Sequence, residues 1–245
     1  MQYFKKQIRH KIANSAAYVI NGRQSRIIYY HDFHNDESVK YYKYSTPISL
    51  FLEHVLIIEE LGFEIVSTIT KPHNQIMISL DDGYRGVFQF KNLFINKNIF
   101  IKIFIITSKI DELDFLSKDE IIKLNKCRNF TFGAHSHSHL PLNSLSTDSL
   151  TFELKESKNI LSSIINEDII DFAFPIGKFN KNIIEEALNA QLNNLYTTIP
   201  GKFFNSKSYI YRSLAQDLNN YQFENLLLGG YDIFKSYYKI LSRKF

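Results

Sequence analysis

The stretch Gln75-Ile-Met-Ile-Ser-Leu-Asp-Asp-Gly83 is a mainly apolar run that ends in two adjacent aspartates and a glycine. An apolar run of this length is typical of a strand that is covered on both faces of a parallel sheet. Similar runs lie at 26–30, 63–69, 100–106, 130–134, 169–174, 195–199 and 209–214. With helical patterns between them, they predict an α/β fold with a parallel sheet, either closed as a barrel or open with helices on both faces.

The helical patterns fill the gaps between the predicted strands. They cover 46–61, 84–97, 147–165, 181–192 and 220–242, and Ser117 and Glu120 have capping-box spacing ahead of a further helix. No linker or shift in composition divides the chain, and its 245 residues can bury one large core. We therefore expect one catalytic domain over residues 26–245, preceded by a basic helical extension at 1–25.

Composition and charge argue against several classes of protein. The net charge of +4 comes with no arginine-rich face and no interleaved basic and aromatic repeat, so no nucleic-acid partner is expected. Cys127 is the only cysteine, which rules out an intramolecular disulfide and is consistent with a reducing compartment.

Membrane association is predicted to be peripheral if it occurs. No apolar run reaches the ~20 residues of a spanning helix, and no signal-peptide core follows the basic N-terminus, so the sequence predicts a cytoplasmic protein. The basic segment 5–11 could contact an anionic bilayer, with Phe4, Ile8 and Ile12 as its apolar stripe. A solvated first helix is the alternative, and the sequence makes no prediction of the oligomeric state.

The aspartates that end the quoted run are the first candidate site. Asp81 and Asp82 repel each other at the end of an apolar strand unless a cationic group meets them. The sequence Asp-Asp-Gly is also a good turn, so this segment alone supports a turn as well as a site.

The second candidate is the histidine-rich segment Gly133-Ala-His-Ser-His-Ser-His139, which directly follows a predicted strand. His135 and His139 are four residues apart, so one helical turn or a tight loop places both imidazoles on one side. Two imidazoles and one carboxylate form a common ligand set for catalytic zinc. A chance histidine-rich loop is the alternative, and His137 is expected to face away from the ligand pair.

The third candidate is Phe172-Ala-Phe-Pro-Ile-Gly177, a strand that stops at Pro-x-Gly. Such a turn can direct backbone N–H groups into a cleft, as an oxyanion requires. A simple strand terminator is the alternative interpretation.

Together these motifs resemble those of the polysaccharide deacetylases, the NodB-homology or carbohydrate esterase 4 family. The segment 79–83 is similar to the family's Thr-Phe-Asp-Asp-Gly, and 135–139 matches its His-(Ser/Thr)-x-x-His. The segment 172–177 resembles the motif that contains Pro-(Tyr/Phe)-Gly, and Tyr30-His31-Asp32 resembles the Tyr-His at the first strand of many members. Their order and spacing cover residues from about 26 to 215.

The resemblance implies a deformed (β/α)7-type barrel and a division of roles among the candidates. Asp81 would be the general base, and Asp82, His135 and His139 would bind one divalent metal ion, most commonly Zn²⁺. The metal would polarise an acetamide carbonyl and a water whose proton Asp81 takes. The backbone amide of Ile176 would share the resulting oxyanion with the metal.

The sequence departs from the family pattern at two positions. Many members pair the catalytic aspartate with an arginine of the third motif, where this chain has Ala173. Arg212 resembles an arginine that some members place late in the chain, and its alternative is a solvated strand edge. The family's late histidine, which protonates the leaving amine, has no counterpart because no histidine follows His139. His31 and, with less support, His34 are the candidates to replace it.

The predicted function is hydrolysis of the N-acetyl group of an acetamido sugar, with a carbohydrate as the binding partner. An intracellular glycan precursor, either nucleotide-linked or lipid-linked, is preferred over a finished wall polymer. Two alternatives remain: hydrolysis of another amide, such as an N-formyl sugar or a cyclic amide, on the same metal site, or a non-catalytic module that binds carbohydrate or a partner protein.

Overall fold

A computed structural model describes residues 2–20, 22–37, 44–204, 209–216 and 218–243, with the side chains of 2–6 outside the described part. The strands are β1 Arg26–Tyr30, β2 Asp32–His34, β3 Ser45–Pro47, β4 Glu64–Ile65, β5 Gln75–Leu80, β6 Ile101–Ile105, β7 Phe130–Ala134, β8 Asp171–Ala173, β9 Asn194–Tyr196 and β10 Ser213–Leu214. The helices are α1 Gln2–Ile20, α2 Ile48–Glu60, α3 Gly86–Gln89, α4 Lys91–Asn96, α5 Lys118–Asn125, α6 Thr147–Ile165, α7 Lys181–Asn189, α8 Asn220–Leu227 and α9 Lys235–Arg243. Short 3-10 turns cover Thr107–Lys109, Leu142–Ser144, Pro175–Gly177 and Gly230–Phe234.

The main sheet is parallel and curled. Its strands follow the order β10-β1-β5-β6-β7-β8-β9, with β4 paired to β5. Tyr196 of β9 forms a parallel bridge with Ile210, which lies shortly before β10, so the two edges of the sheet approach each other. The result is a half-barrel in one domain, and the α/β fold of deformed-barrel type expected from the sequence is confirmed.

Two apolar layers hold this curled sheet. Successive residues of a strand point to opposite faces, so Ile27 and Met77 face the inside of the half-barrel while Ile28 and Ile78 face the helices. Phe104 and Tyr196 complete the inner layer from β6 and β9. Because both faces of these strands are covered, the near-continuous apolar runs of the sequence are accounted for.

The boundaries of several elements differ from those predicted. The helix expected from Thr46-Pro47 begins at Ile48, because Pro47 has an extended ψ of 136° and pairs with His34 through β3 and β2. The strand expected at 63–69 is reduced to β4, and the helix expected at 84–97 is divided into α3 and α4 at Phe90.

The C-terminal helix predicted at 220–242 is interrupted. Gly229 has a φ of 92°, a left-handed conformation that ends a helix, and it separates α8 from the 3-10 turn Gly230–Phe234 and from α9. Helix α1 packs against α8 and this turn. The predicted domain boundary near residue 25 stays a prediction.

Candidate active site

The candidate residues meet at one edge of the curled sheet. Asp81 and Asp82 follow β5, and the segment 135–139 follows β7. The turn at 175–177 follows β8, and His31 follows β1. Since the strands are parallel, their carboxyl ends lie at the same edge, which is where β/α barrels carry their active sites.

Asp82, His135 and His139 form the group that fits a metal ion. One ligand atom from each lies within 4.8 Å of the others. The Oδ1 atom of Asp82 is 3.4 Å from Nε2 of His135 and 3.5 Å from Nε2 of His139. Ligand atoms about 2.0–2.1 Å from a tetrahedral zinc ion lie about 3.3–3.4 Å apart. The spacing therefore suits a zinc-sized ion.

The hydrogen bonds around Asp82 and His135 also leave atoms available to bind a cation. Oδ1 of Asp82 is buried and has no hydrogen-bond partner among the described residues. Nδ1 of His135 lies 2.8 Å from the carbonyl oxygen of Ala173, which can only accept, so Nδ1 carries the hydrogen. The lone pair of Nε2 then faces Asp82, as in metal sites where a backbone carbonyl fixes the histidine tautomer.

The loop that carries the two histidines is held in an unusual conformation. Ser136 and His139 have positive φ angles of 62° and 60°, and Asp82, across the site, has a φ of 72°. Such angles cost energy for residues other than glycine and are concentrated at functional sites. The hydroxyl of Ser136 accepts a hydrogen bond from the N–H of His139 at 3.0 Å, which stabilises the turn.

The charges of the site are strongly coupled. Burial favours a higher pKa for Asp82, but the neighbouring imidazole of His135 and the charges of the histidines hold the pKa below its usual range. Burial and the charge of His135 lower the pKa of His139 to about 4. Burial also favours a lower pKa for His135, but Asp82 and Asp81 outweigh it and raise the pKa. The carboxylates that favour a proton on His135 would equally attract a divalent cation.

Asp81 is held by Arg212. Nη1 and Nη2 of the guanidinium donate to the two carboxylate oxygens at 2.5 and 2.9 Å, and both side chains are buried. Arg212 also donates to the carbonyl of Thr197 and lies against the rings of Tyr29 and Phe104. Burial acts to raise the pKa of Asp81, but the charge of Arg212 holds it below the usual range. Arg212 is therefore not on a solvated edge.

His31 lies close enough for its charge to lower the pKa of Asp81 and Asp82. Nδ1 of His31 is 2.6 Å from Oε1 of Gln216, which only accepts, so this nitrogen carries a hydrogen. The ring also lies 5.3 Å from the ring of Tyr44. The side chain is half-buried and fixed by these contacts.

Ile176 forms the middle of the turn after β8. Its φ of 59° is a left-handed conformation that a β-branched residue adopts only under constraint, and its side chain is 56% exposed. A Cβ on the neighbouring Gly177 would lie 2.0 Å from Oγ1 of Thr198, so only glycine fits there. The constraint places the peptide of Ile176 at the same edge as Asp81 and Asp82.

His34 and His137 lie outside the metal-binding group. His34 lies on β2, with its Nδ1 2.8 Å from the hydroxyl of Ser45. Nδ1 of His137 is 3.1 Å from the hydroxyl of Thr107, and its ring packs edge-on against Phe152. His137 thus faces away from His135 and His139.

Two residues at the site were not identified from the sequence. Gln216 fixes His31, and Glu153 of α6 accepts hydrogen bonds from the N–H groups of His137 and Ser138 at 2.9 and 2.8 Å and from the Ser138 hydroxyl. Glu153 lies on the buried face of α6, next to Leu150 and Leu154. A carboxylate at such a position signals a buried hydrogen-bond network and could have been found. The sequence contains no comparable signal for Gln216.

Comparison with known proteins points to one family. The sequence pattern described as polysaccharide deacetylase matches residues 68–195. A relative described as a polysaccharide deacetylase, YxkH of Bacillus subtilis, is 20% identical over 208 residues, which cover 80% of this chain and 72% of that protein.

Solved structures show the same fold. The polysaccharide deacetylase of Bacillus cereus superposes with a TM-score of 0.73 at 19% identity, covering 84% of this chain and 69% of that one. The de-N-acetylase of Aggregatibacter actinomycetemcomitans gives a TM-score of 0.73 at 15% identity, covering 83% of this chain and 99% of that one. At these identities the similarity concerns the fold alone.

Proposed function

The chain belongs to the polysaccharide deacetylase family, and on that premise we propose that it removes the N-acetyl group from an acetamido sugar of a glycan or glycan precursor. The observation that carries the proposal is the meeting of two units at one sheet edge. One is the cation-sized group of Asp82, His135 and His139, and the other is the buried Asp81–Arg212 pair. Amide hydrolysis needs both an electrophile for the carbonyl and a base for water.

Asp82, His135 and His139 would hold one divalent ion, for which zinc is the best candidate because of the two imidazole ligands. Such an ion supplies Lewis-acid polarisation of the amide carbonyl and makes water more acidic. Ala173 and Ser136 keep the two imidazoles in place through the hydrogen bonds described above.

Asp81 acts as the general base. Arg212 keeps the carboxylate ionised and fixes its plane through two hydrogen bonds, so that an oxygen lone pair is available to take the proton of the attacking water. The water attacks the acetyl carbonyl carbon, and the carbonyl oxygen becomes an oxyanion. The backbone N–H of Ile176 is the protein donor assigned to that oxyanion.

His31 is assigned as the group that protonates the leaving amine nitrogen when the C–N bond breaks. Its Nδ1 is occupied by Gln216, so Nε2 is the atom that would deliver the proton. This assignment supplies the acid that the C-terminal part of the sequence lacks, since no histidine follows His139.

The test combines metal analysis with product identification. The purified protein, loaded with zinc, is incubated with N-acetylglucosamine oligosaccharides and with nucleotide-linked N-acetylglucosamine, and released acetate is quantified. We expect one metal ion per chain and acetate as the product. No acetate from the metal-loaded protein with any of these substrates would contradict the proposal, and formate from an N-formyl sugar in a parallel incubation would then favour the alternative amide.

Asp81→Asn separates catalysis from metal binding in the same assay. Removing the base should lower turnover by a factor of about 100 to 10,000, while the metal content stays at one per chain. Unchanged turnover would exclude Asp81 as the base.

A further inference from the structure

We propose that α1 and α9 together form a surface that binds an anionic membrane. This α1–α9 surface is defined by exposed residues of the two helices, namely Ile8, Lys11, Ile12 and Val19 of α1 and Tyr237, Lys239, Ile240, Leu241 and Arg243 of α9. It extends the sequence-based hypothesis of a basic N-terminal stripe to a second helix. Phe4 and Lys5, which belonged to that hypothesis, have side chains outside the described part.

The positive charge of the protein is concentrated on these two helices. Their sequences contain seven lysines and arginines and no aspartate or glutamate. The whole chain has 29 basic and 25 acidic residues, so the rest of the chain has 22 against 25, a net charge of −3. A polybasic surface of this kind is attracted to anionic lipid headgroups.

Each helix also exposes an apolar stripe next to its basic residues. On α1, Ile8, Ile12 and Val19 are 43%, 46% and 82% exposed and lie opposite the buried Ala13 and Ala17. On α9, Tyr237, Ile240 and Leu241 have the i, i+3, i+4 spacing of one helical face and are 56%, 56% and 37% exposed. Apolar stripes flanked by lysine and arginine are typical of helices that lie in a membrane interface.

A hydrogen bond and a shared packing partner connect the two helices. Nη1 of Arg9 donates to the hydroxyl of Tyr238 at 2.6 Å, and both helices pack on the turn Gly230–Phe234. None of the helices in the described ranges is long and apolar enough to cross a bilayer. Contact with lipid would be made by the exposed apolar faces of the two helices.

Other residues of α1 and α9 approach the partner of Asp81. Arg9 and Tyr238 line a cavity of about 100 Å³ together with Tyr29 and Leu214 of the sheet. The ring of Tyr29 is 4.7 Å from the guanidinium carbon of Arg212, the partner of Asp81. If the proposed function holds, docking on lipid would bring the active-site edge close to a glycan attached to that membrane.

A second copy of the chain suits this surface less well than a membrane. In a symmetric dimer, the exposed Lys11, Lys239 and Arg243 of one copy would approach the same residues of the other, and like charges repel. Anionic lipid offers both opposite charge and an apolar layer for the stripes, so the bilayer is the occupant to which the proposal commits.

Co-sedimentation of the full-length protein with vesicles tests the proposal without substrate. We expect binding to phosphatidylcholine vesicles that contain phosphatidylglycerol, weak or no binding to pure phosphatidylcholine, and weaker binding at high salt. The double variant K11E/K239E should lower the partition coefficient by about tenfold or more. The double variant I12S/Y237S should also lower the partition coefficient, both at low and at high salt.

K97E/K126E is the matched control, because it makes the same change of charge at two exposed lysines on α4–β6 and α5–β7 connections. The control should bind like the wild type. Absence of wild-type binding to anionic vesicles, or an equal loss in the control, would overturn the proposal. The proposal would also be overturned if light scattering detected a dimer that dissociates in I12S/Y237S and the wild type did not bind vesicles. Since no substrate is present, failure here leaves the deacetylation test unaffected, and the reverse also holds.

Discussion

Arg212 is the residue on which the proposed base depends most directly. Its guanidinium makes two hydrogen bonds to the Asp81 carboxylate, and it is buried between the rings of Tyr29 and Phe104. A lysine at this position retains the charge but cannot present the planar pair of donors.

We predict that Arg212→Lys lowers kcat/KM about ten- to a hundredfold and leaves the metal stoichiometry unchanged. Arg26→Lys is the control, because Arg26 is equally buried and pairs with Asp232 away from the site. Steady-state kinetics and metal analysis on both variants provide the measurement. If both variants lose activity equally, the effect reports destabilisation rather than loss of the Asp81 contact.

Gln216 orients His31 through a single short hydrogen bond. We predict that Gln216→Ala lowers kcat about tenfold with little change in KM, because the imidazole loses its fixed direction while the substrate contacts remain. Gln216→Glu restores an acceptor at this position and should recover part of the rate. Full activity of the alanine variant would contradict the proposed role of Gln216 in orienting His31.

At the scale of elements, α6 supports the histidine loop. Glu153 crosses from the helix to the loop and accepts from two backbone N–H groups and a hydroxyl. The loop contains two residues with positive φ, so it depends on such outside contacts to keep its shape.

We predict that Glu153→Gln weakens zinc affinity about 10- to 100-fold, because the amide replaces one acceptor oxygen by a donor that faces N–H groups. Competition with a chelator of known affinity gives the measurement. Glu156→Gln, on the same helix and only half-buried, is the matched control and should bind zinc as the wild type does. Equal affinities for all three proteins would contradict the role of Glu153.

The elements that could be predicted are those with a local signal. β5 and β7 are recognisable because they are buried on both faces, and the motifs that follow them resemble known ones. The interruption at Gly229 was missed because glycine is tolerated within helical patterns, and its left-handed φ of 92° appears only in the structure. Glu153 has a local signal as a carboxylate on a buried helix face, but its partners 15–16 residues away, and the partner of Gln216 185 residues away, do not. Contacts of this kind are fixed by the tertiary fold, which periodicity does not reveal.

At the scale of the whole molecule, two buried groups oppose each other in their effect on stability. His54 is fully buried against Tyr30, Leu218 and Phe223, and burial lowers its pKa to about 4. In the unfolded protein His54 takes up a proton more readily than in the folded one. The free energy of unfolding therefore decreases as the pH falls from about 6.5 towards 4. Burial raises the pKa of Asp32 to about 6, so its contribution to stability increases over the same fall in pH.

We predict that His54→Gln destabilises the protein at pH 7, and that the difference from the wild type shrinks by about 2–3 kcal/mol at pH 4.5. The contribution of Asp32 is the same in both proteins and cancels in the difference. Urea unfolding of both proteins at the two pH values provides the measurement. A difference that does not change with pH would mean that His54 is not held neutral by burial.

The contact between Asp81 and Arg212 joins residues 131 positions apart, with the entire helical and sheet structure from β6 to β9 between them. A ribosome makes Asp81, Asp82 and both candidate metal-binding histidines well before it makes Arg212, and chains are completed at about 5–20 residues per second. A nascent chain can thus have every proposed metal ligand while its base still lacks the partner that keeps it charged. On the proposed mechanism, the base is therefore complete only after Arg212, directly before β10, has been synthesised and has packed against Asp81.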